Sequence, residues 1–222
     1  MLSIVLLSFF GIVNLFLGFQ KNKNILLPAA FIFTLIVFAA NLVDFNQPID
    51  VFGEFNTGML TIDKITVGFT AIILVANLLV ILLADKYILG KQSQPAEYFS
   101  ILMLSTVGAI MMVSYDHLLI LFLGVETLSI PMYVLAGAEK RNLRSNEAAL
   151  KYFLMGAFAT GFLLFGVALV YGATGAFSLA GIKEACSAAE QSPLLILGLG
   201  FLLVGMLFKV SAAPFHFWTP DV

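Results

Sequence analysis

Charge is what this chain has least of: charged residues make up 11% of its 222 positions, hydrophobic residues 61%, and the mean hydropathy is +1.04. A water-soluble domain of that composition would expose large apolar patches and aggregate, so the expected solvent is a lipid bilayer. The single cysteine, Cys186, excludes an internal disulfide and a Cys-ligated iron–sulfur cluster. The two histidines, His117 and His216, are too far apart in sequence to give a metal-ligand spacing. Redox centres, if involved, are therefore expected on another chain. A net charge of −2 leaves no electrostatic footprint for nucleic acid. The longest hydrophilic stretches, Asp44–Lys64 and Gly172–Pro193, are about 20 residues each, too short for a soluble catalytic domain. The first apolar run also lacks a preceding basic region and a following small-residue cleavage site, so a signal peptide is not expected.

Long apolar runs are what the chain does have. They lie at Leu2–Phe19, Ile25–Val43, Ile65–Ala84, Tyr98–Ser114, His117–Gly137, Ala148–Tyr171 and Leu194–Trp218. Each is about 17–25 residues, the length a helix needs to cross a hydrocarbon core about 30 Å thick. The expected fold is all-α and polytopic, with about seven transmembrane helices. Loop charges alternate: Lys21, Lys23, Lys86, Lys91, Lys140, Arg141 and Arg144 occupy the first, third and fifth connections, against only Lys64 and Lys183 in the others. The second, fourth and sixth connections carry Asp44, Asp50, Glu54, Asp63, Asp116, Glu184 and Glu190. Basic loops stay in the cytoplasm, which predicts an outside N-terminus.

Three charges fall inside apolar runs. Glu126 lies near the middle of HLLILFLGVETLSIPMYVLAG. An ionised group at the bilayer centre costs at least about 2.5–3.5 kcal/mol, so such a residue usually marks an ion or proton path. Lys209 in GMLFKVSAAPFHFWTPDV repeats its setting: Pro131 follows Glu126 by five residues, and Pro214 follows Lys209 by five. A proline has no N–H for the carbonyl one turn earlier, so freed carbonyls are expected at Thr127 and Val210, and the seventh helix is expected to be broken. Lys151 in NEAALKYFLMGAF lies about a turn past Glu147, near the predicted start of its helix. The competing readings are a structural ion pair for Glu126 and snorkelling to the headgroups for Lys209 and Lys151. His216 and Trp218 read as interfacial packing residues, and His117 beside Asp116 as a solvated loop pair. Gly156, Gly161 and Gly166 read as sites of close helix packing.

GVETLSIPMYVLAG, EAALKYFLMGAFATGFLLFG and GMLFKVSAAPFHFWTPDV resemble the N-type antiporter-like membrane subunits of proton-pumping NADH:quinone oxidoreductase, complex I. The likeness in motif order and spacing runs from about Tyr98 to Val222; the first three helices match only in hydropathy. It implies residues 1–97 as an N-terminal three-helix segment and 98–222 as an incomplete first antiporter-type five-helix repeat. Family members are about twice this length, so the chain reads as an N-terminal fragment. Carried over by motif, Glu126 resembles the fifth-helix glutamate, Lys151 the sixth-helix lysine and Lys209 the lysine of the broken seventh helix. The resemblance implies a bacterial inner-membrane subunit that couples quinone reduction elsewhere to proton transfer through these charges. NADH, flavin, iron–sulfur clusters and quinone would sit on partner subunits, and neighbouring membrane subunits, other antiporter-like ones included, would be the partners. The alternatives are a subunit of an Mrp-type multi-subunit cation/proton antiporter and a non-transporting membrane scaffold.

Overall fold

A computed structural model describes residues 2–20, 22–46, 58–84, 94–188 and 192–222. Every apolar run contains a helix, the form in which backbone polar groups bond to one another where lipid offers no partner. These helices are α1 (Leu2–Leu17), α2 (Leu26–Asn46), α3 (Lys64–Leu83), α4 (Pro95–Val113), α5 (Leu118–Ala136), α6 (Leu143–Thr174) and α8 (Pro193–Lys209). A shorter helix, α7 (Leu179–Ala188), occupies the connection read as a loop. Five helical segments, 23–45, 64–83, 95–113, 118–136 and 143–174, are long and apolar enough to cross a membrane; α1 and α8 are apolar but shorter, at 16 and 17 residues.

Local chemistry sets the ends. Asp63 caps α3 by accepting from the Thr66 N–H at 2.7 Å, Asn142 caps α6 by accepting from Arg144 at 3.1 Å, and Ser192 caps α8 with Pro193 next to it. Gly175, at φ 70°, closes α6 in the left-handed conformation.

Helix α4 packs against α1, α3 and α5, while α6 packs on α5 and along α8. The α6/α8 contact is antiparallel: a Cβ on Gly205 would meet Leu163, and one on Gly166 would meet the Leu202 backbone nitrogen at 2.6 Å. The two backbones approach so closely that only glycine fits at 166. Gly161, by contrast, faces open space, so the expectation of packing holds for Gly166 and Gly156 but not for the residue midway between them.

Three other expectations are corrected. Helix α6 begins at Leu143, five residues before Ala148, because Asn142 supplies the cap. Lys151 is thus more than two turns into its helix rather than near the start. Helix α8 ends at Lys209, well short of Trp218, so Val210 is not a carbonyl freed by Pro214; the chain has already left the helix. Pro131, in turn, sits inside an unbroken α5. The third correction concerns His117, which is half-buried and is the N-cap of α5, with its Nδ1 accepting from the Leu119 N–H at 3.4 Å and its ring against Phe177. Around it the Leu118 N–H bonds the Phe177 carbonyl and the Asp116 N–H bonds the Met59 carbonyl, tying three connections together at one end. Of the charges used for orientation, Lys21, Lys86, Lys91, Asp50, Glu54 and Glu190 lie outside the described residues.

A candidate buried ion-pair site

Glu126, Ser129 and Tyr133 follow one another on α5 at i, i+3 and i+7, a spacing that puts them on a single helix face. That face meets α6 at Thr160 and the end of α8 at Lys209. The Lys209 ammonium donates to Ser129 Oγ at 3.1 Å and to the Tyr133 hydroxyl at 3.1 Å, and stands 5.7 Å from the centre of the Tyr133 ring. Glu126 Oε1 lies 3.8 Å from it, beyond hydrogen-bond reach, with the two side chains only 23% and 15% exposed. A shift of about 1 Å would turn this charge contact into a direct charge-assisted hydrogen bond.

The turn that ends α8 is built for this. The Ala212 N–H reaches back to the Leu207 carbonyl at 2.9 Å and the Ser211 N–H to the Phe208 carbonyl at 3.1 Å, with Ser211 left-handed at φ 55°. Paired 6→1 and 5→2 bonds around a left-handed residue form a Schellman stop, here with serine where glycine would be easier. Lys209 is therefore the last helical residue, at the negative pole of the helix, which favours a cation. Beyond it the chain folds back. Trp218 is buried, donates to the Phe208 carbonyl at 3.3 Å and stacks on Tyr152 of α6. Tyr152 stands edge-on to Tyr133, and Gly156 leaves the space that the Tyr133 hydroxyl fills.

The other end of the pair is held by Thr160. Its hydroxyl lies 2.7 Å from Glu126 Oε1 and 2.9 Å from the Gly156 carbonyl. One hydroxyl proton can serve only one of them. With Glu126 ionised, Thr160 donates to the carboxylate. With Glu126 protonated, it accepts from the acid and donates to Gly156 instead. Both protonation states are thus satisfied without backbone movement.

Lys151 is not part of this cluster. It bonds Glu147 at 2.8 Å and Asp221 at 3.3 Å and is 40% exposed. Its link to the site is indirect, through its neighbour Tyr152. Sequence reasoning singled out Glu126 and Lys209 but missed Ser129, Tyr133 and Thr160. Helical spacing from Glu126 could have found the first two; nothing local points to Thr160. Among the described residues no group of His, Cys, Asp and Glu is arranged to hold a metal ion.

The family model for NADH:quinone oxidoreductase/Mrp antiporter transmembrane segments matches residues 115–222. The chain is 40% identical over 222 residues to NADH-quinone oxidoreductase subunit N of Cytophaga hutchinsonii, covering 99% of this chain and 47% of that one. Subunit N of Flavobacterium psychrophilum is 36% identical over 220 residues, covering 99% and 48%. In solved structures, a chain of respiratory complex I from Thermus thermophilus with bound aureothin superposes with a TM-score of 0.80 at 34% identity, over 99% of this chain and 46% of that one. A chain of the membrane-bound sulfane sulfur reductase, an archaeal respiratory membrane complex, gives 0.84 at 24% identity and shares the fold. The chain spans about half the length of the curated relatives it matches.

Proposed function

Because this chain belongs to the antiporter-like membrane subunits of the NADH:quinone oxidoreductase/Mrp antiporter family, we propose that it serves in a proton-translocating NADH:quinone oxidoreductase, moving protons through Glu126 and Lys209. Quinone reduction takes place on other subunits. Its partners are the other membrane subunits of that complex, neighbouring antiporter-like subunits included. Residues 98–222 carry the translocating groups, and 1–97 form the N-terminal three-helix membrane segment. The observation that carries the reading is the approach of two opposite charges to 3.8 Å within an apolar bundle, each also held by a neutral hydroxyl. Replacing such a pair by apolar residues is often neutral or stabilising, so stability alone is a weak reason to keep it.

When Lys209 closes on Glu126, the carboxylate favours the charged lysine; when it swings to Ser129 and Tyr133, that support weakens and proton release becomes easier. Thr160 keeps Glu126 satisfied in either protonation state. Lys151 takes a charge-coupling role from the end of α6, where Glu147 and Asp221 hold it one residue from Tyr152. In the assembled complex, Glu126→Gln and Lys209→Met are expected to lower quinone-reductase turnover and proton pumping together while assembly survives. Wild-type rate and proton-to-electron ratio in both variants would make the pair structural and end this reading.

The basic loop around Lys140–Arg144 faces the cytoplasm on this reading, with α7 outside. Cys186 is exposed on α7 and serves as a native reporter. In intact cells a membrane-impermeant maleimide should label Cys186, but not a cysteine introduced by Asn142→Cys in a Cys186→Ser background. The opposite pattern would reverse every helix.

A further inference from the structure

The bundle of α1–α4 has an interior of its own, with two apolar clusters stacked along its length. Between them each helix turns a polar residue inward. On α3, Ile81 belongs to one cluster and Leu74 to the other, and Asn77 falls between them on the same face. On α2, Thr34 falls likewise between Ala30 and Val37, and on α4 Ser100 falls between Phe99 and Met103. Helix α1 is placed by its glycines. A Cβ on Gly11 would stand 3.7 Å from the Ser100 carbonyl, and one on Gly18 would stand 2.5 Å from Ala96 Cβ. Asn14 lies on the stripe between those glycines and so faces the Ala96–Ser100 turn.

All four side chains are buried: Asn14 and Thr34 at 0%, Asn77 at 6% and Ser100 at 3% exposure. Thr34 is satisfied by the Ala30 carbonyl at 2.9 Å. Both polar atoms of Asn14, both of Asn77 and the Ser100 hydroxyl have no hydrogen-bond partner among the described residues. An unsatisfied buried polar group carries its full desolvation penalty, and lipid cannot supply the missing bond.

We propose that Asn14, Asn77 and Ser100 bind internal water, forming a polar layer that clamps α1, α3 and α4 together. The atoms select the ligand. Two of them are amide nitrogens, which need an acceptor, so a cation cannot satisfy the set. A direct Asn14–Asn77 amide pair would use one donor and one acceptor of each side chain and leave Ser100 unpaired. Water both donates and accepts, and buried waters typically make about three such bonds to otherwise unsatisfied groups. Leu7, Val37, Leu74 and Met103 lie between this layer and a partly open pocket of about 20 Å³, lined by Ile4, Val67 and Ile110 as well as Ser3, Asn41 and Ser114. That volume holds about one water, so the bundle has two separate hydration points rather than a continuous proton wire.

Microsecond X-ray radiolysis of the protein in native-membrane nanodiscs tests this, because bound water yields hydroxyl radicals in place. Met103 is 0% exposed and one helical turn from Ser100. Its oxidation should proceed at least as fast as that of Met111, a half-buried methionine on the same helix. The rate should fall about fivefold in Asn14→Leu/Asn77→Leu and about twofold in Ser100→Ala, as each removes water partners. If the double variant does not fold, Ser100→Ala decides alone. An unmodified Met103 at doses that oxidise Met111 would overturn the proposal. So would equal Met103 oxidation in wild type and the folded variants.

Discussion

The α1–α4 bundle and the α5–α6–α8 cluster both bury polar side chains among apolar helices, but they use different chemistry. In the first, the interior polar groups between the apolar clusters are amides and hydroxyls: Asn14, Thr34, Asn77 and Ser100. In the second, two opposite formal charges face one another at 3.8 Å. Neutral groups can be satisfied by one another, by the backbone or by water, and they then hold helices together. A buried charge adds a desolvation penalty that hydrophobic packing would avoid, so its presence calls for a reason other than cohesion. On the proposed function, the comparison sets an uncharged layer suited to association against a charge pair suited to charge movement, although the first region also buries Asp44 near one end of α2.

The sharpest way to break that contrast is to treat the pair as mere glue. Lys209→Leu alone is expected to cost about 3–5 kcal/mol, because it strands the Glu126 carboxylate, whereas Glu126→Leu/Lys209→Leu should recover most of that loss. Thermal unfolding of the two variants in detergent checks it. A double variant no more stable than the single would show that the carboxylate draws its support from elsewhere. Thr160→Val should cost about 1.5–3 kcal/mol, since it removes a hydroxyl bonded to a charged group. Thr160→Ser should restore both stability and pumping, an outcome not expected if only the methyl group mattered.

A smaller effect of opposite sign is expected at the stop of α8. Ser211 holds φ 55° without being glycine, so Ser211→Gly should stabilise by about 1 kcal/mol. The same melting experiment measures it, and a loss of stability would mean that the serine side chain supports the turn. The smallest effect belongs to the first region. Asp63 caps α3, and the backbone and side-chain hydrogen bonds from Thr66 hold its carboxyl below the usual range. A depressed folded-state pKa stabilises fully above the unfolded value and is lost as pH falls through the folded one. The stability difference between wild type and Asp63→Asn should therefore shrink as pH drops below about 4. A difference unchanged between pH 7 and that range would remove the carboxylate from the account.

Much of this was legible one residue at a time. The apolar runs announced the helices, because a backbone in lipid must bond to itself. Glu126 and Lys209 stood out because charges are costly there. Ser129 and Tyr133 were within reach of the same reasoning, through i+3 and i+7 spacing from Glu126. Pro131 sits inside α5, as a proline that only weakens its helix can, whereas the reading of Val210 as a carbonyl freed by Pro214 failed because α8 ends at a Schellman turn five residues before that proline. The extent of α6 was missed because its cap, Asn142, lies outside the apolar run.

The sequence by itself determined that the long apolar segments carry helices and which residues are too costly to be buried without a purpose. Both follow from local composition and period, which a single segment carries within itself. Only the tertiary structure decided that Lys209 reaches Glu126, that Thr160 from a third helix can bond either form of the carboxyl, and that Lys151 pairs instead with Glu147 and Asp221. Those relations depend on how closely helix backbones pack, at glycines such as Gly156 and Gly166, and on where a helix stops. A 3.6-residue period places side chains on faces of one helix, and packing then selects which faces meet.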